Sequence, residues 1–399
     1  MKRESPSRWL LVLLTALVGL LGGLGSVLLG LFLPDVSSLY MMRLSFNIIG
    51  LLAFGFSLLL LVVGWRGWKD LPSPPFSMPG GWIILLLLWG GLVGLILVVP
   101  GLRGAPLLLA AFHLVLIVLP ALFFFVVVTQ LSGETTRLNL RETMTATLGG
   151  ILSVIPAFIL EAIAFLLCLV LVLVLALIIP GGEAEVERLL QSLQRLSQMD
   201  PMGIPETAVL NLIRSPVVLS LLTLVLGLAT PLIEEPSKTA LVVLFGARRR
   251  FDPPRAFLWG AAAGLGFSVV EGSLNGLMSV EGPAAGWASG VGMRAVATAM
   301  HAFTSGLTGL GWAYVWQRRR RWMLPVLYLT AIAFHGLWNL STIGMVVASA
   351  QMLSGPLNLF NTLVTLLSGS LLFVLALTAL AGLVVLPLWY RQRWDRSRA

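Results

Sequence analysis

Residues 82–100 read WIILLLLWGGLVGLILVVP, nineteen positions without one ionisable side chain. As an α-helix this stretch would extend about 28 Å, close to the roughly 30 Å of hydrocarbon in a bilayer. A longer apolar run fills Leu357–Leu388, and across the chain 58% of residues are hydrophobic but only 11% are charged. Soluble domains carry about 25% charged residues. The sequence therefore predicts an all-α, polytopic integral membrane protein and excludes a soluble domain.

The same pattern predicts about ten membrane spans, with both termini in the cytoplasm. The spans lie near residues 9–33, 44–65, 81–100, 105–131, 147–180, 216–246, 256–279, 292–316, 322–350 and 357–389. With this topology 19 of the 26 Lys and Arg residues fall on the cytoplasmic side, as the positive-inside rule requires. The net charge of +9 is thus a topology signal, so we predict contact with the lipid bilayer and no nucleic-acid partner. The Arg-rich, Lys-poor loops favour a multi-pass protein of a prokaryotic plasma membrane.

Buried polar residues divide the chain into two regions. The four predicted spans of residues 1–132 contain almost no ionisable residue, whereas nearly every helix from the sixth span onward carries buried polar groups. We therefore predict an N-terminal accessory transmembrane region and a C-terminal region that holds the site. Residues 181–215 are expected outside the cytoplasm, and apolar residues at helical spacing there predict an amphipathic helix. This helix either rests on the outer membrane surface or covers the site.

Seven polar residues recur in four consecutive spans. They are Glu234, Glu235 and Lys238 on the sixth span, Glu271 on the seventh, His301 on the eighth, and His335 and Asn339 on the ninth. Glu235, Glu271, His301 and His335 lie 13, 16, 17 and 14 residues from the nearest cytoplasmic arginine, or roughly 20–25 Å along a helix. An ionisable group at mid-bilayer costs at least about 2.5–3.5 kcal/mol, so we interpret the shared depth as one functional site. Glu161 of the fifth span lies near the same layer and either lines the site or packs there.

The stretch Glu234-Glu235-Pro236-Ser237-Lys238 suits a site that polarises water. Two adjacent carboxylates cannot both ionise cheaply in a low dielectric, so one is expected to hold a proton and to act as a general acid or base. Lys238 lies within helical reach of both carboxylates. Pro236 has no N–H group, so the carbonyl of Leu232 loses its helical partner, and Pro231 frees another carbonyl one turn earlier.

These residues resemble the PrsW family of intramembrane proteases over about residues 215–345. The matching motifs are EExxK at Glu234–Lys238, FxxxE at Phe267–Glu271, an HAxxS-like motif at His301 and an HxxWN-like motif at His335. Their layout is also similar to that of the CAAX prenyl protease and bacteriocin-processing (ABI) group. The resemblance implies a peptidase that cleaves membrane-anchored protein substrates in or near the membrane.

Two mechanisms remain open within this interpretation. In the first, which we prefer, no cofactor is required: Glu234 or Glu235 activates water, while His301, His335 and Asn339 position it or stabilise the oxyanion. In the second, Zn²⁺ is bound by Glu271, His301 and His335, with Glu234 or Glu235 as the base. The first is preferred because the chain has no HExxH helix.

A different class of protein could use the same residues. Chains of acids and histidines inside a membrane also mark proton relays, so the alternative prediction is a proton-coupled transporter or channel. A non-catalytic membrane scaffold is the third interpretation.

Overall fold

A computed structural model describes residues 6–34, 39–98, 105–134, 136–199, 206–280, 283–317, 320–354 and 358–396. Within these ranges the structure is helical, and the one β-type pairing is an isolated bridge between Pro75 and Asn139. The helices, numbered α1 to α14, are Pro6–Phe32, Tyr40–Trp68, Gly81–Val98, Pro106–Leu131, Leu140–Ile178, Gly182–Ser197, Glu206–Ile213, Pro216–Leu224, Thr230–Arg249, Pro253–Asn275, Leu277–Val280, Ala284–Trp316, Met323–Ser354 and Leu359–Arg396. A π-helical turn, Val225–Ala229, joins α8 to α9.

Nine helices in the described part of the chain are long and apolar enough to cross a membrane. They are Trp9–Phe32, Tyr40–Trp68, Gly81–Val98, Pro106–Leu131, Leu140–Ile178, Pro216–Arg248, Pro253–Asn275, Met323–Ala348 and Leu359–Arg393. The predicted all-α, polytopic membrane fold is therefore confirmed.

The remaining predicted span, 292–316, falls within α12. This helix has 33 residues, which is long enough, but it is less apolar than the other nine. Its middle carries polar residues such as His301, Thr304 and Ser305, and all three side chains are buried. A helix covered by protein does not need an apolar surface, because its polar groups face other helices and not lipid.

The chain folds as two compact units. Unit 1 comprises residues 1–154, 238–327 and 379–399, and unit 2 comprises residues 155–237 and 328–378. The long helices α5, α9, α13 and α14 contribute residues to both. These units are defined by compactness and not by function, so the accessory region 1–132 and the functional region 143–399 stay predictions.

Glycines set the helix packing in unit 1. A methyl group on Gly264 of α10 would lie 2.7 Å from the carbonyl carbon of His301 and 2.8 Å from Ser305 Oγ on α12. Gly260, one turn earlier, meets the backbone of Ser305 in the same way. Small residues allow two helix backbones to approach this closely. The backbone of His301 is therefore fixed directly against α10.

The predicted amphipathic helix is α6, in unit 2. Its apolar residues Val186 and Leu189 pack against a buried cluster of α5, α8 and the π-helical turn, made of Val172, Val217, Leu221 and Val225. Leu190 and Leu193 of the same helix are 60% and 45% exposed. Residues 200–205 of the predicted segment 181–215 lie outside the described residues.

Candidate active site

Pro231 shapes the start of α9 in unit 2. In the π-helical turn the N–H group of Thr230 donates to the carbonyl of Val225, five residues earlier. The next bond in this pattern would join residue 231 to the carbonyl of Leu226, but proline has no N–H group. Instead, the Asn339 side chain donates from Nδ2 to that carbonyl over 2.9 Å. Asn339 therefore replaces a missing backbone donor.

Pro236, five residues later in the sequence, has the same effect. It deprives the Leu232 carbonyl of its helical donor, as the sequence predicted, and the Tyr328 hydroxyl donates to this oxygen over 3.1 Å. Tyr328 and Asn339 both lie on α13. Helix α13 thus supplies a side-chain donor for each of two proline-freed carbonyls.

His335 lies on α13 between these two donors and meets both adjacent glutamates. Its Nδ1 is 2.9 Å from Glu235 Oε1, and its Nε2 is 3.8 Å from Glu234 Oε2. All three side chains are buried, with exposed fractions of 0–3%. With Glu235 as a carboxylate, Nδ1 carries the proton and the Nε2 lone pair points towards Glu234. We call these three residues the unit 2 cluster.

The close approach of the helices beside this cluster depends on Gly336. A methyl group at this position would clash with the carbonyl oxygen of Gly227 in the π-helical turn. Because Gly336 follows His335 directly, its lack of a side chain allows α13 to bring the imidazole to the two carboxylates.

A second cluster lies in unit 1 and links four side chains in a row. Lys238 Nζ is 2.8 Å from His301 Nδ1, His301 Nε2 is 2.7 Å from Glu271 Oε2, and Arg294 Nη1 is 3.2 Å from Glu271 Oε1. An ammonium group only donates, so His301 accepts at Nδ1 and donates from Nε2. The four side chains therefore form a row of a cation (Lys238), a neutral imidazole (His301), a carboxylate (Glu271) and a second cation (Arg294). We call these four residues the unit 1 cluster.

Two further contacts hold the unit 1 cluster in place. The Lys238 ammonium lies 4.6 Å from the centroid of the Phe267 ring, a cation–π distance. Asn275 donates from Nδ2 to Glu271 Oε1 over 2.9 Å. Phe267 thus has a role beyond the spacing of its FxxxE motif, because its ring supports the lysine.

The seven predicted site residues fall into the two units. Glu234, Glu235, His335 and Asn339 lie in unit 2, and Lys238, Glu271 and His301 lie in unit 1. Each unit brings its own members together, except that Asn339 contacts backbone and not the carboxylates.

Arg294 and Tyr328 were not among the site residues predicted from the sequence. The sequence could have indicated both residues, because each lies seven residues before a predicted histidine and hence on the same helix face. Arg294 precedes His301 on α12, and Tyr328 precedes His335 on α13.

The donor atoms of the unit 2 cluster suit a divalent metal. Glu234 and His335 are buried residues that each offer one ligand atom. Carboxylate oxygen and imidazole nitrogen are usual zinc ligands, and a carboxylate on the far nitrogen of a liganding histidine, as Glu235 is on His335, is the usual supporting contact. Glu271, predicted as a ligand, is held by Arg294 and Asn275.

These features define a polytopic membrane protein with acids and histidines buried in its helices. The class is specified further by comparison, because residues 202–381 match the model of the family described as PrsW family intramembrane metalloprotease. This part of the chain contains all seven predicted site residues, and its match to the PrsW family model confirms the resemblance seen in the motifs. Comparison with curated proteins and with solved structures gave no match.

Proposed function

We propose that this protein hydrolyses peptide bonds of membrane-anchored proteins, with Glu234 as the general base that activates water. The observation that carries the proposal is the arrangement Glu235–His335–Glu234, in which one carboxylate orients the imidazole at Nδ1 and the other lies 3.8 Å from Nε2. The family supplies the reaction class, an intramembrane protease. The Arg-rich loops support a prokaryotic plasma membrane as its location.

The roles of the two adjacent glutamates differ. Glu235 binds His335 Nδ1 at 2.9 Å and fixes the tautomer of the ring, so it is a positioning residue. Glu234 Oε2 is 3.8 Å from Nε2, which is too long for a direct hydrogen bond but short enough for both atoms to contact one water molecule. Glu234 therefore takes the proton of that water while His335 orients it.

The reaction then follows general-base hydrolysis. The water oxygen forms a bond to the peptide carbonyl carbon as Glu234 accepts the proton. The carbon–nitrogen bond breaks, and Glu234 returns the proton to the leaving nitrogen. The products are a new carboxylic acid and a new amine; one proton of the water is on the amine and the other is on the acid, so atoms and protons balance.

The unit 1 cluster supplies positive charge and a hydrogen-bond donor. Lys238 lies four residues after Glu234 on α9, a spacing that places the two side chains on one helix face. His301 lies at the same sequence-derived depth as His335. We assign Lys238 and His301 to the stabilisation of the oxyanion, and Glu271 with Arg294 to the orientation of His301.

A metal-bound form is the second candidate, because the family description and the donor chemistry favour it. Glu234 and His335 would be ligands of the ion, and Glu235 would orient His335. A bound Zn²⁺ would polarise the peptide carbonyl and lower the pKa of a bound water. In this form Glu234 is a ligand, which differs from the set Glu271, His301 and His335 predicted from the sequence.

The proposal is tested by comparing membrane-protein fragments in cells that carry wild type or E234Q at equal expression. The matched control is E183Q on the exposed first turn of α6. We expect fragments that end within or beside a membrane span with wild type and E183Q, and none with E234Q. If no fragment depends on Glu234, the protease proposal is wrong. Proton-coupled flux in proteoliposomes, lost in H335A, would then support the transporter alternative.

A further inference from the structure

The carbonyl of Leu232 occupies an unusual position in a membrane helix. Pro236 removes the backbone donor that this oxygen would have in a regular helix, and the Leu232 side chain is 49% exposed. Lipid offers no hydrogen-bond donor. A donor for this carbonyl must therefore come from the protein, and Tyr328 Oη provides it at 3.1 Å.

The donor comes from the helix that carries His335. Tyr328 lies seven residues before His335, and Asn339 lies four residues after it. Residues at these intervals share one face of a helix. On that face α13 therefore makes two hydrogen bonds to the backbone before Glu234. Asn339 donates to the Leu226 carbonyl, and Tyr328 donates to the Leu232 carbonyl. The imidazole of His335 lies between these two donors in the sequence of α13.

We propose that Tyr328 is a positioning residue for the two glutamates, an inference that rests on the proposed function. Leu232 precedes Glu234 by two residues, so fixing its carbonyl fixes the rotation of α9 at the carboxylates. That rotation decides which glutamate meets Nδ1 of His335 and which meets Nε2. Glu234 and Glu235 are adjacent and point about 100° apart around the helix, so a small rotation changes both distances.

Pro236 offers a direct test, because Ala at this position restores the backbone N–H group that would donate to the Leu232 carbonyl. The variants are Y328F, P236A and Y328F/P236A, and Pro236 is exposed, so Ala there meets no crowding. The probe is the membrane protein whose Glu234-dependent fragment accumulates most, reconstituted with the purified full chain. The control Y314F removes another hydroxyl pair, Tyr314 with Tyr390 at 3.1 Å in unit 1.

We expect Y328F to lower kcat about tenfold with little change in KM, since one hydrogen bond to a desolvated carbonyl is lost. In the P236A background, Y328F should change kcat by less than about twofold, because the backbone now supplies the donor. Y314F should keep wild-type kcat. If Y328F does not fold, folding regained in Y328F/P236A supports the inference, and folding not regained contradicts it.

Two results would overturn the inference while the proposed function stands. One is full activity of Y328F when E234Q is inactive in the same assay. The other is an equal loss from Y328F in both backgrounds, which would mean that the hydroxyl acts through something other than Leu232. An active E234Q would instead refute the proposed function itself.

Discussion

The glycine contact between α10 and α12 gives a prediction whose size follows from the structure. A methyl group on Gly264 would lie 2.7 Å from the carbonyl carbon of His301, whereas ordinary contacts of this kind begin at 3.4 Å. In G264A the backbone at His301 must therefore move by about 0.7 Å, and the carbonyl oxygen, which is closer, requires more. The displaced residue is the centre of the unit 1 cluster.

The loss of stability expected from the steric clash in G264A can be separated from the higher helix propensity of alanine. Overpacking of this kind costs about 1–3 kcal/mol, while Ala in place of Gly in a helix gains about 1 kcal/mol. Gly292 on α12 is the matched control, since nothing lies within 4 Å of a methyl group there. G264A should therefore be less stable than G292A by about 1–3 kcal/mol.

The assay combines unfolding of the purified protein in detergent with the yield of Glu234-dependent fragments. A misplacement of about 1 Å at a reacting group can cost a hundredfold in rate, so G264A should lose at least about tenfold. G292A should keep both stability and activity. Equal stability and equal activity of the two variants would refute the claim that this close approach positions His301.

Three further predictions test the clusters and the metal. E235Q keeps an oxygen acceptor for His335 Nδ1 and E235A does not, so kcat should fall about tenfold further in E235A; equal losses would contradict the orienting role of Glu235. R294Q removes a donor from the Glu271 carboxylate and should lower the free energy of unfolding by about 2 kcal/mol, whereas R188Q, whose pair with Glu185 is exposed, should stay within about 0.5 kcal/mol of wild type. Activity of the purified protein should survive a chelator under the general-base proposal, and loss with recovery on added Zn²⁺ would support the metal-bound form instead.

The amino-acid sequence alone is enough to predict the membrane fold and the candidate residues. Hydrophobic runs of bilayer length define the spans because apolar side chains are what a lipid core accepts. The predicted span 292–316, which falls within α12, is less apolar than the other spans because its middle is buried by protein and can be polar. Pro231 and Pro236 also predict two carbonyls without helical donors, because the missing N–H group of proline is a local property of the sequence.

Which of these groups contact each other depends on the tertiary structure. Neighbouring Glu234 and Glu235 look equivalent in sequence, yet Glu235 binds Nδ1 of His335 and Glu234 faces Nε2. The sequence likewise assigned Asn339 to water or oxyanion, whereas its amide nitrogen is bonded to the carbonyl of Leu226. Periodicity fixes the face of a helix on which a residue lies, but hydrogen-bond partners depend on helix rotation and separation to within about 1 Å. Helix rotation and separation are set by contacts between distant segments, such as Gly336 with the Gly227 carbonyl. A local sequence pattern therefore cannot predict them.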